Sequence, residues 1–190
     1  WNAVASGEAA GPRDVTEPPR PPDEEIIDWF LSGAERLANT LDSQDDEVEV
    51  WTWSSDHSMG FIKRRMAHET AVHCWDTQKA AGRPEPLPSD LAADGIDEFL
   101  GVFLPRRDEH LAGPSQHIHL HCTDEAGEWL IGIGEGAIDV ERAHGKAPAA
   151  VRASASDLVL MLWRRVGPED LEVLGDRDEL TRFLARAGLG

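Results

Sequence analysis

The sequence predicts an α+β protein in which helices come first and strands come later. Residues 60–81 contain no proline and are rich in Ala, Met, Lys, Arg and Gln, a composition typical of a long helix. Residues 117–122 alternate strictly between polar and apolar side chains, which indicates a half-buried strand. Turn residues at 124–127 and further short apolar runs follow, so we expect a strand meander in the second part of the chain.

The first part of the chain is predicted to contain three helices. Residues 1–8 indicate the end of a helix, and five prolines within residues 11–22 indicate a linker. The acidic run Asp23–Glu25 opens the second helix, because carboxylates in a first turn interact favourably with the helix dipole. The third helix is the one at 60–81. The apolar stripe of the second helix consists of Ile26, Ile27, Phe30, Leu31, Leu37 and Leu41.

The best domain boundary lies in residues 83–88, where three prolines interrupt the chain. We therefore expect one domain at 1–82 and a second at 83–190. Ser89 or Asp90 should cap the first helix of the second domain. The predicted elements of this domain are helices at 89–104, at 157–165 after a Ser154 or Ser156 cap, and from the Asp176 cap to about Ala187, with strands at 117–122, 129–133, 137–141, 149–153 and 171–173.

The composition excludes several classes of function. The 190 residues contain 18 Lys and Arg against 36 Asp and Glu, a net charge of −18. Such a charge argues against nucleic acid or an anionic membrane as a partner, since both need clustered cations. Cys74 and Cys122 show no metal-ligand spacing and are too few for a disulfide scaffold. Neither a membrane span nor a signal peptide is visible, so a cytoplasmic protein is expected.

Ionisable side chains lie on the helix at 60–81 where apolar ones are expected. Glu69 and His73 are four residues apart, point the same way and can share one metal ion, and carboxylate with imidazole is a common zinc pairing. Asp76 lies three residues beyond His73 and is predicted to hydrogen-bond its imidazole rather than to bind the metal. The alternative is that Arg65 pairs with Glu69, and His73 with Asp76, as ordinary helix-surface contacts.

Other candidate sites have simpler explanations. His117, His119 and His121 share one strand face, but neighbouring positions there are roughly 6–7 Å apart, so two at most are expected to share an ion. Cys74 is on the helix face opposite Glu69 and is predicted to be a small hydrophobic residue. Glycines 132, 134 and 136 lack the spacing of a dinucleotide-binding loop.

Several segments resemble the mycothiol-dependent maleylpyruvate isomerase family, and together they cover nearly all of the chain. Residues 65–76, RMAHETAVHCWD, are similar to the signature helix of that family. The resemblance implies a DinB-like four-helix bundle, incomplete in this chain, followed by a small α/β domain with a sterol-carrier-like fold. The other similar segments are 119–121 leading to 127–130, 156–158 leading to 162–165, and 171–176.

The resemblance also implies a chemistry. In the family a divalent metal, usually zinc, is held by a Glu and two His, and Glu69 and His73 match two of these ligands. The other His belongs to an early helix that would lie upstream of Trp1. Mycothiol, a cytosolic thiol, would bind at the open metal position as thiolate and add to an activated double bond. Rotation and elimination would then give the trans isomer.

Arg165 matches the family's arginine at the end of a helix in the second domain. We expect it to be a catalytic residue that binds a substrate carboxylate, because a planar guanidinium suits bidentate binding. The simpler alternative is that Arg165 caps the helix end or pairs with Glu169 or Asp170 on the surface. Two positions depart from the family, with Cys74 where Arg is usual and Arg164 where Gly is frequent. The expected partner is a small, carboxylate-bearing molecule, and the alternative functions are a mycothiol S-transferase on the same site, a non-catalytic metal- or ligand-binding protein, and a purely structural protein.

Overall fold

The computed structural model describes residues 1–106, 114–134 and 136–187. It contains helices and a five-stranded sheet, which confirms the predicted α+β class. The chain forms two compact units, Trp1–Glu69 and Thr70–Gly190, and the division falls inside the long third helix. The domain boundary after residue 82 stays a prediction.

The first unit is built mainly from helices. The third helix begins where Ser58 Oγ accepts a hydrogen bond of 3.1 Å from the backbone N–H of Phe61, which satisfies one of the donors that a helix start leaves unpaired. A single bridge between Glu49 and Ser58 precedes it. The helices are α1 at Asn2–Ala5, α2 at Ile26–Asp42 after a 3-10 turn at Asp23–Glu25, and α3 at Met59–Ala80, which continues into the second unit.

The apolar stripe of α2 is only partly covered in the described residues. The periodicity predicted the helix correctly, but none of its residues is buried, and Ile27, Phe30 and Leu31 are 57–66% exposed. A 3.6-residue pattern identifies an amphipathic helix without identifying what covers its apolar face. None of the helices in the described residues combines the length and the apolar composition that a bilayer crossing requires.

The second unit contains the sheet. Its strand order is β3-β2-β1-β4-β5, with β1 and β4 parallel and the other neighbours antiparallel. Residues 123–127 join β1 to β2 as an antiparallel hairpin, close to the turn predicted at 124–127. The strands are β1 at Gln116–Cys122, β2 at Glu128–Gly134, β3 at Ala137–Glu141, β4 at Ala149–Ala153 and β5 at Glu172–Gly175.

The hydrophobic core of this unit lies on one face of the sheet. Ile118 and Leu120 of β1 are fully buried in it, together with residues of helices α4, α5 and α6. Successive side chains of a strand point to opposite faces, so His117, His119 and His121 lie on the other face. The helices are α4 at Ser89–Glu98, α5 at Ala155–Leu162 and α6 at Arg177–Ala187. Helix α4 continues into a π-helical segment at Phe99–Phe103 and a 3-10 turn at Leu104–Arg106.

Two of the three helix caps predicted from the sequence are present in the structure. Ser154 Oγ accepts from the Asp157 N–H at 3.1 Å, and Asp176 Oδ1 accepts from two backbone N–H groups at the start of α6. The cap predicted at Ser89 or Asp90 is wrong, because Pro88 occupies the cap position and no side chain caps α4. The fixed φ of Pro88 sets the chain direction there without a capping hydrogen bond.

Candidate functional site

The first half of α3 pairs Arg65 with Glu69. Arg65 Nη2 donates to Glu69 Oε1, as the simpler sequence alternative expected from the four-residue spacing. The Arg65 side chain is almost fully buried, and the Glu69 carboxylate is partly exposed. The imidazole that α3 buries is His68, not His73. The polar strip of α3 therefore divides into a buried arginine with its carboxylate and a more exposed second half.

The second half of α3 pairs His73 with Asp76. His73 Nδ1 lies 3.1 Å from Asp76 Oδ2, and the His73 side chain is 63% exposed. A carboxylate only accepts hydrogen bonds, so Nδ1 carries the proton in this contact, and in the neutral form of the imidazole Nε2 is then the acceptor nitrogen. This is the arrangement in which an imidazole can bind a metal through Nε2 while a carboxylate orients the ring.

Asp76 is also held by Arg165 from the end of α5. Arg165 Nε lies 3.1 Å from Asp76 Oδ1 and Nη2 lies 2.9 Å from Oδ2, so the guanidinium binds the carboxylate through two parallel hydrogen bonds. The hydrogen bonds from Arg165 lower the pKa of Asp76, burial opposes this, and His73 lowers the pKa further. Asp76 is therefore a carboxylate shared between a permanent cation and an imidazole.

The backbone at the end of α5 presents Arg165 to Asp76. The Arg164 N–H donates to the Met161 carbonyl at 3.0 Å and the Arg165 N–H to the Leu160 carbonyl at 2.8 Å, the two bonds of a Schellman motif. Arg164 has a φ of 65°, in the left-handed region that favours glycine. The helix ends three residues earlier than the predicted residue 165.

Arg165, which was predicted to bind a substrate carboxylate, binds a carboxylate of the protein itself. The guanidinium already binds the carboxylate of Asp76, and Nη1 donates to the Trp163 carbonyl at 2.8 Å. The simpler alternative, a pair with Glu169 or Asp170, is not what the described residues show. Lys79 Nζ donates to the Arg165 carbonyl at 2.8 Å, which fixes the same segment against α3.

A second group of imidazoles surrounds Glu128 on the open face of the sheet. Glu128 Oε2 lies 3.0 Å from His119 Nε2 and 2.6 Å from His144 Nδ1, and Oε1 lies 3.1 Å from His121 Nδ1. Two of the three strand histidines join this group, as expected, and His117 does not. We call Glu128, His119, His121 and His144 the sheet cluster.

The sequence interpretation missed two members of the sheet cluster. Glu128 faces His121 directly in the hairpin register, so counting outward from the turn would have found it. His144 lies in the connection between β3 and β4, where no periodicity signals its position. The hydrogen bond from His144 is the main cause that lowers the pKa of Glu128, with the bond from His119 as a further one against the opposing effect of burial.

The two cysteines differ from each other. Cys74, predicted to be a small hydrophobic residue rather than a nucleophile, is exposed and does not belong to the hydrophobic core of the described residues. Cys122 is buried on the core face of β1, and burial raises the pKa of its thiol to about 12.

Comparison with known proteins gives matches at the level of families and of folds. The family described as the mycothiol maleylpyruvate isomerase N-terminal domain matches residues 1–78, and the MDMPI C-terminal domain matches residues 90–182. The curated proteins contain no match.

Among solved structures, the "UbiJ-SCP2 Ubiquinone synthesis protein" is 25% identical over 54% of this chain and 93% of its own, with a TM-score of 0.37. Sterol Carrier Protein 2 Like 2 from Aedes aegypti is 11% identical over 48% and 94%, with a TM-score of 0.33. The sec-alkylsulfatase Pisa1 from Pseudomonas sp. is 15% identical over 43% and 14%, with a TM-score of 0.39. TM-scores this low carry no functional argument. The two family matches leave only residues 79–89 and 183–190 uncovered, and the chain belongs to the mycothiol maleylpyruvate isomerase family.

Proposed function

We propose that this chain is a metal- and mycothiol-dependent isomerase of the maleylpyruvate isomerase type. The observation that carries the proposal is the connected series of hydrogen bonds from Arg165 through Asp76 to His73. Such a series holds an imidazole in one orientation and one tautomer, which a surface histidine does not need. This orientation supports the proposal that His73 binds the metal through Nε2.

The donor set fits a divalent metal such as zinc. The proposed ligands from this sequence are Glu69 and His73, a carboxylate and an imidazole four residues apart on the continuous helix α3. Binding would require Glu69 to exchange its contact with Arg65 for the ion or to share it. A bound zinc would stabilise a thiol as thiolate near neutral pH.

Arg165 is proposed to bind the substrate carboxylate. A guanidinium has five N–H donors, and the contacts to Asp76 and to the Trp163 carbonyl use three of them. One N–H donor on each of Nη1 and Nη2 remains, and the side chain is 26% exposed. We propose that these two donors bind the substrate carboxylate while Nε and Nη2 hold Asp76. Because the cofactor is a reduced thiol, we propose that the protein acts in the cytoplasm.

The test is turnover of maleylpyruvate to its trans isomer by the full chain, with and without zinc and mycothiol. We expect activity only when both are present, and none above background for His73→Ala. Arg165→Lys should lower kcat/KM by about tenfold or more, because a lysine cannot hold Asp76 and a substrate carboxylate together. Zinc content should stay unchanged in that variant.

The matched control is Arg164→Lys, which makes the same exchange one residue earlier at an exposed position. Full activity of Arg165→Lys, or turnover that needs neither metal nor thiol, would contradict the proposal. Conjugation of mycothiol to a substrate without isomerisation would instead identify an S-transferase on the same site. Zinc binding without either reaction would identify a binding protein.

A further inference from the structure

Elements far apart in the sequence bring the sheet cluster together. His119 and His121 alternate along β1 on the face away from the core, and Glu128 opposes His121 across the hairpin. The ring centroids of His119 and His144 are 5.4 Å apart, with the rings nearly perpendicular at 88°. Three imidazoles therefore direct a nitrogen towards one carboxylate.

A glycine allows the β3–β4 connection to reach this face. A Cβ at Gly145 would lie 2.5 Å from Leu130 Cδ1, closer than real Cβ contacts come, so only glycine fits without displacing the β2 side chain. The preceding residue, His144, lies where its Nδ1 meets Glu128. The close approach of the backbone to the sheet is thus what delivers the third imidazole.

Glu128 has more imidazole contacts than a single partly exposed carboxylate requires. Glu128 Oε2 accepts from both His119 and His144, although the His144 side chain is 78% exposed and has water available. The His119 side chain is only 8% exposed, and a buried imidazole needs a hydrogen-bond partner. Its single contact with Glu128 already satisfies Nε2, so the other two imidazoles are not needed for that purpose. Convergence of three nitrogens and a carboxylate is the ligand set that zinc and related divalent metals take.

The separations also suit a metal. His119, His121 and Glu128 each have one ligand atom within 4.8 Å of those of the other two, and His144 joins this group through its 2.6 Å contact with Glu128 Oε2. Ligand atoms on a tetrahedral zinc are about 3.3 Å apart, given metal–ligand distances of about 2.0–2.1 Å. The contacts of 2.6–3.1 Å between the imidazole nitrogens and Glu128 are slightly shorter than that. Binding of one ion would require these side chains to rotate away from direct contact with Glu128, and His144 to turn towards His119 and His121.

We propose that the sheet cluster is a divalent metal site, formed by His119, His121, Glu128 and His144. Four protein ligands close a tetrahedral site, so its role is structural, and the metal ties the β3–β4 connection to the β1–β2 hairpin. The site shares no residue with the proposed site on α3, and its existence does not depend on the proposed function.

The test uses Zn²⁺ and Co²⁺ on the full chain carrying Glu69→Gln and His73→Ala, so that the α3 residues contribute no ligand. We expect one bound metal per chain and a Co²⁺ absorption spectrum of the tetrahedral type. Adding His121→Ala and His144→Ala should weaken Zn²⁺ binding by about 100-fold or more. Both side chains are partly exposed, so these variants are expected to fold.

The matched control is His117→Ala, which removes an imidazole from the same strand face outside the cluster. It should leave Zn²⁺ affinity unchanged. Zn²⁺ should also raise the melting temperature of the parent chain and not that of the His121→Ala, His144→Ala variant. Absence of binding, or binding that survives loss of both histidines, would overturn the proposal and leave the cluster as a hydrogen-bond network. Neither outcome bears on maleylpyruvate turnover, because the α3 ligands are absent from the test.

Discussion

Two groups in the second unit have a carboxylate at their centre, and they differ in what surrounds it. Asp76 is bound by Arg165 on one side and by His73 on the other. Glu128 is surrounded by imidazoles alone among its described contacts. A guanidinium stays charged at every accessible pH, whereas an imidazole can lose its proton and become a metal ligand. The charged contact with Arg165 therefore suits Asp76 to orienting the imidazole of His73, whereas Glu128 and its imidazoles suit binding of a metal ion.

Exposure separates the two groups in the same way. The His73 side chain is mostly exposed, so an ion on its Nε2 would be open to a thiol and a substrate. The His119 side chain is nearly buried against the sheet, and the connection that carries His144 covers it. Open positions are typical of catalytic metals and closed ones of structural metals. The difference in exposure supports the two proposals, a catalytic metal on α3 and a structural metal on the sheet.

The largest expected difference between the two regions is in cysteine reactivity. Cys74 directly follows His73, and Cys122 directly follows His121. Burial raises the pKa of the Cys122 thiol to about 12, so at about pH 8 only about one molecule in ten thousand has the thiolate there. Alkylation with iodoacetamide should therefore label Cys74 at least about 100-fold faster than Cys122. Peptide mass spectrometry over a time course measures both rates in one sample.

Denatured protein provides the control, because both thiols should then react at similar rates. Comparable labelling of the two cysteines in the folded chain would mean that β1 opens readily in solution. The sheet cluster would then be too mobile to form a closed metal site, and the contrast between the regions would fail.

The next effect concerns the orienting carboxylate of α3. In a chain without the sheet cluster, through His121→Ala and His144→Ala, Asp76→Asn should weaken zinc binding by about 10–100-fold, as is typical when a partner of a metal-binding histidine is changed. The amide can still accept from His73, but it no longer offers Arg165 a charged partner. Competition with a chromophoric chelator measures the affinity.

Glu128→Gln is the matched change in the other group, and it should leave zinc binding at α3 unaltered. A loss in Asp76→Asn as complete as that in His73→Ala would show that Asp76 is itself a ligand. No change at all would show that the hydrogen bond to His73 does not orient the imidazole.

Local geometry explains what the sequence could predict. The contacts of Arg65 with Glu69 and of His73 with Asp76 follow from helix spacing, because residues three or four apart are neighbours on any α-helix. The strand face shared by the histidines of β1 follows from the two-residue period of a strand. These features need no knowledge of the tertiary fold.

Long-range contacts were beyond the same reasoning. Asp76 and Arg165 are 89 residues apart, and nothing in either segment indicates the other. The sequence interpretation assigned Arg165 a substrate carboxylate, or Glu169 or Asp170 as a surface partner, and did not find the contact with Asp76. His144 was missed because its position depends on the path of an irregular connection, which only the close approach at Gly145 reveals.

The smallest expected effect concerns Arg164, which lies between the end of α5 and Arg165, the residue that binds Asp76 of α3. The left-handed φ of 65° costs a non-glycine residue roughly 1–2 kcal/mol, and glycine gives back part of this through its greater freedom in the unfolded chain. Arg164→Gly should therefore raise the free energy of unfolding by about 0.5–1 kcal/mol, measured by urea denaturation. Arg164→Ala is the control, since it removes the same charged side chain and keeps the Cβ that causes the strain. If the glycine variant is no more stable than the alanine variant, the Schellman end of α5 does not hold residue 164 in this conformation. Another feature of the structure would then have to account for the position of Arg165 against Asp76.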